Sequence, residues 1–218
     1  MTNVDVVTAT REYEAWLAER ITPVKADFDL KHREMAASSF AFLRATFYRW
    51  AQRWPEVDRT AANAPEVLAV GDLHVENFGT WRDSEGRMVW GVNDFDEAAT
   101  MPYTIDLVRL ASSAELARRE NHLSITLQDA CTALLEGYGR ALDSGGEPYI
   151  LEERHTNLRA LALGQGRAPE RFWQKLDALP ALKEPVPASV TAILDEAMPE
   201  SGVPYRVVAD LLGNSEVT

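Results

Sequence analysis

Two short clusters in this chain collect residue types that hold metal ions and phosphates. The first, GDLHVEN, places Asp72, His74 and Asn77 after an apolar run, and the second, VNDFDEA, places Asn93, Asp94 and Asp96 after another. An aspartate at a strand exit is held by rigid backbone while its carboxylate reaches a cleft. There it can accept a proton from a substrate hydroxyl or simply orient it. Asn77 offers an amide oxygen that ligates a hard cation without adding charge, and Asp94 adds an anionic oxygen. One Asp and one Asn, with substrate phosphates completing the shell, commonly hold magnesium in phosphoryl transfer. Asp96 and Glu97 could support a second ion or stand behind the first. Each residue alone has a plainer explanation. Asp and Asn are frequent in turns and helix caps, Asp106 reads as such a cap, and a lone histidine is usually structural. Turn chemistry does not explain why both clusters follow hydrophobic strands, so the combination favours function.

The elements that position these clusters can be read from periodicity and punctuation. EVLAVGD, bounded by Pro65 and Gly71, reads as a buried strand. FGTW and RMVWGV flank the turn-rich RDSEG, which predicts a β-hairpin. Upstream, Thr8 or Thr10 could cap a helix with Tyr13, Trp16, Leu17 and Ile21 on one face, ended or bent by Pro23. A second helix is expected from about Ser39 to Trp54, stopped by Pro55, its aromatic stripe read as core. Downstream the pattern is helical: Asp106 to Arg118, then a longer helix through Leu127, Cys131, Leu134, Tyr138 and Leu142 that ends at Gly145-Gly146. LEERHTNLRALAL and PERFWQKLDAL predict two shorter helices, PALKEPVPAS a linker, and one short helix follows before the tail. The fold class is α+β, a small sheet carrying polar loops against a helical body. The expected divisions are an N-terminal helical segment (1–60), a core bearing the two clusters (61–180), and a linker with tail (181–218).

Bulk properties narrow the partners. With 218 residues, 46% hydrophobic, the chain can bury a core. A net charge of −12 argues against general affinity for nucleic acid or anionic membranes. The single cysteine, Cys131, cannot form an internal disulfide, and its apolar neighbourhood predicts a buried thiol. With no signal peptide and no membrane-length apolar run, a cytoplasmic protein is expected.

GDLHVEN, NDFDEA and PYTIDLVRL together resemble the catalytic core of kinase-like phosphotransferases, the superfamily of aminoglycoside and choline phosphotransferases. With KHREMAASSFAFLR, GDLHVENFGTW and DLVRLASSAELA included, the chain more closely resembles the bacterial family known as domain of unknown function 2252, over roughly residues 30 to 180. The resemblance implies a kinase-like C-terminal-lobe core. It also implies a catalytic loop holding Asp72 and His74, with Asp72 positioning or deprotonating an acceptor hydroxyl and His74 holding the loop backbone. Asn77 and Asp94 would ligate magnesium bound to ATP phosphates, Asp96 would assist at the metal or orient the acceptor, and Asp106 would brace the loop. Arg44 stands where the family has an arginine before a glycine and could meet a phosphate, although Ala45 breaks that pattern.

One part of such an enzyme is missing from the pattern. Phosphoryl transfer from ATP uses a cationic clamp, usually a glycine-rich loop and a lysine on a nearby strand. LGQGRAPE is the stretch that could be read as such a loop, and its signal is weak because it sits among helices. In the resembled family the glycine-rich segment follows the catalytic loops, and this chain reaches YRVVADLLGNSEVT where that segment should begin. The expectation is therefore a phosphotransferase unit for a small-molecule hydroxyl, incomplete without a complementing polypeptide or a second copy. The alternative is a catalytically inactive binding protein, with a metal-dependent hydrolase ranked last.

Overall fold

The computed structural model describes residues 4–121, 123–164, 169–180 and 186–198. The chain divides into two compact units, residues 1–159 and 160–218. The first holds a small antiparallel sheet system against helices, an α+β arrangement. Among the described residues, no helix is long and apolar enough to cross a membrane.

The first unit opens with α1 (Val6–Ala18). Its cap is Asp5 rather than Thr8 or Thr10, the carboxylate accepting from the Val7 and Thr8 N–H groups at 2.9 and 3.1 Å. A carboxylate reaches two donors at once, which a threonine hydroxyl inside the first turn cannot do. The helix ends before Ile21, which lies outside the predicted face. α2 (Lys25–Ala37) buries none of its residues and shows no apolar stripe, so periodicity gave no sign of it.

The helix expected from Ser39 to Trp54 is two helices, α3 (Ser39–Ala45) and α4 (Phe47–Val57). They break at Thr46, whose backbone leaves the helical region and whose hydroxyl donates to the Phe42 carbonyl at 2.7 Å. Pro55 does not stop α4 but lies in its last turn, where a proline removes one backbone donor and its fixed φ still suits the helix. Asp58 then caps the short α5 (Arg59–Ala62). The aromatic stripe is core as expected: Phe47 and Trp54 are buried with Ala69 and Ile105, and Trp50 packs against them.

β1 (Glu66–Ala69) pairs antiparallel with β4 (Ala99–Pro102), from Glu66↔Pro102 to Ala69↔Ala99. The expectation of a buried strand fails here. Only Ala69 is buried, while Val67 and Leu68 are both exposed, because β1 pairs with β4 alone in a two-stranded ribbon that leaves most of the strand open. The hairpin forms where predicted, from β2 (Phe78–Arg82) and β3 (Met88–Val92), with Phe78↔Val92 at its base. Asp83 closes its turn by accepting from the Glu85 and Arg87 N–H groups at 3.0 and 2.9 Å, and Gly86 supplies the positive φ of 78°. A third strand, β5 (Tyr149–Ile150), joins β3.

α6 (Thr104–Glu120) and α7 (Leu127–Asp143) pack together. α7 ends as read from the sequence: Gly145 and Gly146 both take φ 75°, and their N–H groups close on the Leu142 and Ala141 carbonyls. Cys131 is half-buried rather than buried, since no residue of α7 is fully covered. LEERHTNLRALAL forms two helices, α8 (Leu151–Arg154) and α9 (Thr156–Ala162), broken where His155 Nδ1 accepts from the Leu158 N–H. The second unit contains α10 (Pro169–Ala178) and α11 (Ala188–Ala197), matching the two remaining expected helices. Most of the proline-rich linker, the Gly166 end of LGQGRAPE and the tail from Pro199 lie outside the described residues.

Ile105, 2% exposed, joins α6 to the core through Phe47 and Trp54. Ile105→Ala is expected to cost about 3 kcal/mol, read from the midpoint of urea unfolding. A loss below about 1 kcal/mol would show that this contact does not organise the unit.

Candidate functional site

One face of α6 holds the loop that follows β1. Asp106, in the first turn, accepts from the Val70 N–H at 2.7 Å and the Gly71 N–H at 2.9 Å. It therefore caps a loop rather than its own helix. Ser113, fully buried, accepts from the Val75 N–H at 3.1 Å. Between them Arg109, 1% exposed, donates through Nε to Asp72 Oδ1 at 2.8 Å. Residues 106, 109 and 113 share one side of the helix, since three- and four-residue steps return to the same face.

Gly71 is required at its place twice over. Its φ is 92°, and a Cβ there would stand 2.4 Å from the Glu97 carbonyl oxygen. The loop after β1 and the loop before β4 thus touch back to back, bringing Glu97 beside Asp72.

Arg109 Nη2 also contacts Asp72 Oδ1 and donates to the Leu43 carbonyl at 2.6 Å, while the guanidinium lies over the Phe47 and Trp50 rings. Burial pushes the Asp72 carboxyl above the usual range; Arg109 and Arg44 oppose this, and the Asp96 charge adds to it. Asp72 Oδ2 faces His74 Nε2 at 3.9 Å. His74 is 2% exposed, packs edge-on to Phe40, and its Nδ1 accepts from the Glu76 N–H at 3.2 Å. Burial, with the Arg44 and Arg109 charges, lowers its pKa to about 4, so the ring is neutral at pH 7. Its bonds are those of a residue that shapes the loop.

Asn77 closes the 3₁₀ turn Val75–Asn77 and is buried. Its Nδ2 donates to the Asp72 carbonyl at 2.5 Å, which leaves Oδ1 as the atom it has to offer. The Asn77 carbonyl accepts from the Asn93 N–H at 2.8 Å. This bond spans the base of the hairpin and ties the two clusters together. The Asn93 side chain crosses Gly79, where a Cβ would stand 2.1 Å from Nδ2.

Asp94 and Asp96 follow on an exposed turn, the Asp96 N–H reaching Asp94 Oδ1 at 3.5 Å. Their carboxyls share a hydrogen bond that raises Asp94 and lowers Asp96, and burial and the Asp96 and Asp72 charges raise Asp94 further. Glu97 is raised by burial and then by Asp96 and Asp72. Arg44, the expected phosphate contact, is exposed and pairs with Glu76 Oε2 at 2.8 Å.

Among the described residues, no three carboxylate, imidazole or thiol groups converge on one point that could hold a metal. The donors present are oxygens: the Asn77 amide and the crowded Asp94 and Asp96 carboxyls. Such a set suits a hard cation that takes few protein ligands and fills its shell with phosphates and water. The Asp96 and Asp72 charges, which add to the rise of Asp94, are what a bound cation would offset. Arg109 and Ser113 were missed in the sequence reading. The signal available was a charged and a hydroxyl residue three and seven positions after Asp106 in a largely apolar stretch.

The class defined by fold and site is an α+β protein whose acidic loops are pinned by a single helix. A family model described as an uncharacterized protein conserved in bacteria, domain of unknown function 2252, matches residues 22–175, and the chain belongs to that family. Neither the curated proteins nor the solved structures gave a match.

Arg109→Met strips Asp72 of its partner and leaves the Leu43 carbonyl with the Thr46 N–H alone. The expected loss is about 3 kcal/mol, partly recovered in the Arg109→Met, Asp72→Asn double variant; additive losses in that cycle would exclude the coupling. His74 gives a pH signature. Because its folded pKa lies below the unfolded value of 6.5, stability is full above pH 6.5 and falls as the pH drops toward 4. His74→Gln should flatten stability over that window; an unchanged acid slope would show that the ring is not buried neutral.

Proposed function

We propose that the chain is a kinase-like phosphotransferase unit acting on a small-molecule hydroxyl, with magnesium and ATP as its cofactors. The observation that carries this reading is the Asn93 N–H to Asn77 carbonyl bond of 2.8 Å, which gathers a base candidate and the metal-ligand candidates. Asp72 would take the acceptor hydroxyl. Its Oδ1 is held by Arg109, so Oδ2 is the oxygen left to orient the hydroxyl and receive its proton. Burial raises its pKa, making it a stronger base than a surface aspartate. Asn77, Asp94 and Asp96 would hold magnesium, which supplies charge neutralisation for the phosphoryl group in transfer. His74 keeps the loop in shape through its bond with Glu76.

An inactive binding protein is the second reading, favoured by the firm engagement of Asp72 by Arg109. For either, an open apolar groove of about 620 Å³ between β1, α6 and α7, lined by Leu68, Leu107 and Tyr138, is the kind of surface a complementing polypeptide or second copy would cover.

Calorimetric titration with ATP tests the reading. Heat is expected only with magnesium present, and Asp94→Asn should weaken binding by roughly tenfold or more, as loss of a charged ligand does. Binding that ignores magnesium or Asp94 would sink the assignment. Magnesium-dependent binding without phosphoryl transfer to any acceptor would move the chain to the second reading.

A further inference from the structure

Two glycines face each other in the hairpin, Gly79 on β2 and Gly91 on β3. Glycine in a strand gives up side-chain packing and is costly to order, so a facing pair needs a reason. The reason here is room. A Cβ at Gly91 would stand 2.8 Å from Cη2 of Trp81, and one at Gly79 would collide with Nδ2 of Asn93. Each of these side chains therefore reaches diagonally across the sheet onto the glycine of the other strand. Facing residues share one side of a sheet and every second residue returns to it, so Trp81, Gly79, Gly91 and Asn93 belong to one face. Side-chain positions on directly facing residues lie about 5 Å apart, which sets the tip of the indole beside the Asn93 amide.

This face runs into the acidic turn. The Asn93 N–H bond to the Asn77 carbonyl, 2.8 Å long, continues the hairpin register by one more pair, and Asp94 follows directly. At ~3.3 Å per residue, the place occupied by the ring of Trp81 over Gly91 lies about 10 Å along the strand from Asp94. Trp81 is 44% exposed, and β2 is an edge strand of its sheet. A single exposed tryptophan is ordinary on a protein surface. This one is set apart by the floor cleared for it, by the exposed Asn93 amide at its tip, and by its distance from the metal-ligand candidates.

We propose that Trp81 and Asn93 seat the adenine base of the nucleotide, a role that rests on the phosphotransferase reading above. An indole is a stacking surface for a flat heteroaromatic ring. The Asn93 amide offers a donor and an acceptor side by side, the pattern that matches the N6 amino group and N7 on one edge of adenine. Guanine presents two acceptors on the same edge, which an amide matches less well. The spacing fits as well: a base held at Trp81 is parted from Asn77 and Asp94 by room for the sugar, so that the phosphates rather than the base meet the oxygens that would hold magnesium.

The test is calorimetry on the full chain with magnesium present, comparing wild type, Trp81→Ala, Trp81→Phe and Asn93→Ala. Each is titrated with ATP, with GTP and with inorganic tripolyphosphate, which carries the phosphates without a base. Trp81→Ala is expected to weaken ATP by roughly tenfold or more, as loss of a base-stacking ring does, and to leave tripolyphosphate unchanged. Trp81→Phe keeps a ring and should retain most of the affinity, and Asn93→Ala should erase a preference for ATP over GTP. Equal affinity of wild type and Trp81→Ala for ATP overturns the base seat and leaves the phosphotransferase reading standing. An equal fall for ATP and tripolyphosphate overturns it too, since Trp81 would then shape the loop rather than meet a base. Wild type that binds GTP as well as ATP removes the Asn93 contact. No binding of any of the three by wild type overturns both readings. Should Trp81→Ala fail to fold, fluorescence decides: ATP but not tripolyphosphate must change the indole emission of wild type, and Trp81→Phe must lose that change. Emission that ATP leaves unmoved overturns the proposal.

Discussion

The site depends on the ion pair between Asp72 and Arg109, set in the middle of a three-point attachment. A buried guanidinium needs a full set of acceptors, because desolvating it is costly and removing one partner leaves an uncompensated charge. Arg109 obtains them from Asp72 and the Leu43 carbonyl, and it lies over the Phe47 and Trp50 rings. Asp106 and Ser113 hold the backbone on either side. Loop 70–77 therefore has little freedom to rearrange without breaking several buried polar bonds together. That rigidity would serve the base role proposed for Asp72, since positioning errors near an ångström cost rate heavily.

The anchoring helix is itself fixed at both ends. Thr104 donates to the Ala61 carbonyl at 2.6 Å, and Glu120 accepts from the Phe40 N–H at 3.0 Å. Ile105 locks its first turn into the aromatic core. The packing of α3, α4 and α5 is thus transmitted to the acidic loops through one element. The second cluster hangs from the first by the Asn93–Asn77 bond and by the close approach of Glu97 to Gly71. The exposed Asp94–Asp96 turn is the least constrained part of the assembly.

Electrostatically the site concentrates a conflict. In a chain of net charge −12, four carboxylates act on one another across two loops, and burial raises Asp72 and Glu97 besides. Arg44 and Arg109, from α3 and α6, oppose that rise at Asp72, and Arg109 opposes it at Glu97. Crowded carboxylates in a folded protein cost stability unless an opposite charge offsets them.

Much of this was legible in the residues. Helical spacing marked Phe47 and Trp54 as core, Asp83 and Gly86 marked the hairpin turn, and Gly145-Gly146 marked the end of α7, because each signal is local and acts through adjacent backbone. The two acidic clusters were visible for the same reason. Local pattern failed where a distant contact decides. The break at Thr46, the cap at Asp5, the passage of α4 through Pro55 and the open face of β1 depend on what packs nearby. Arg109 escaped notice although it lies in PYTIDLVRL, because its sequence neighbourhood shows a charge on a helix but not the distant Asp72 and Leu43 partners that bury it. The sequence by itself determined which loops carry the chemistry-bearing side chains. Only the tertiary structure decided which of those side chains are already paired and which are open, because burial and pairing depend on residues far apart in the chain.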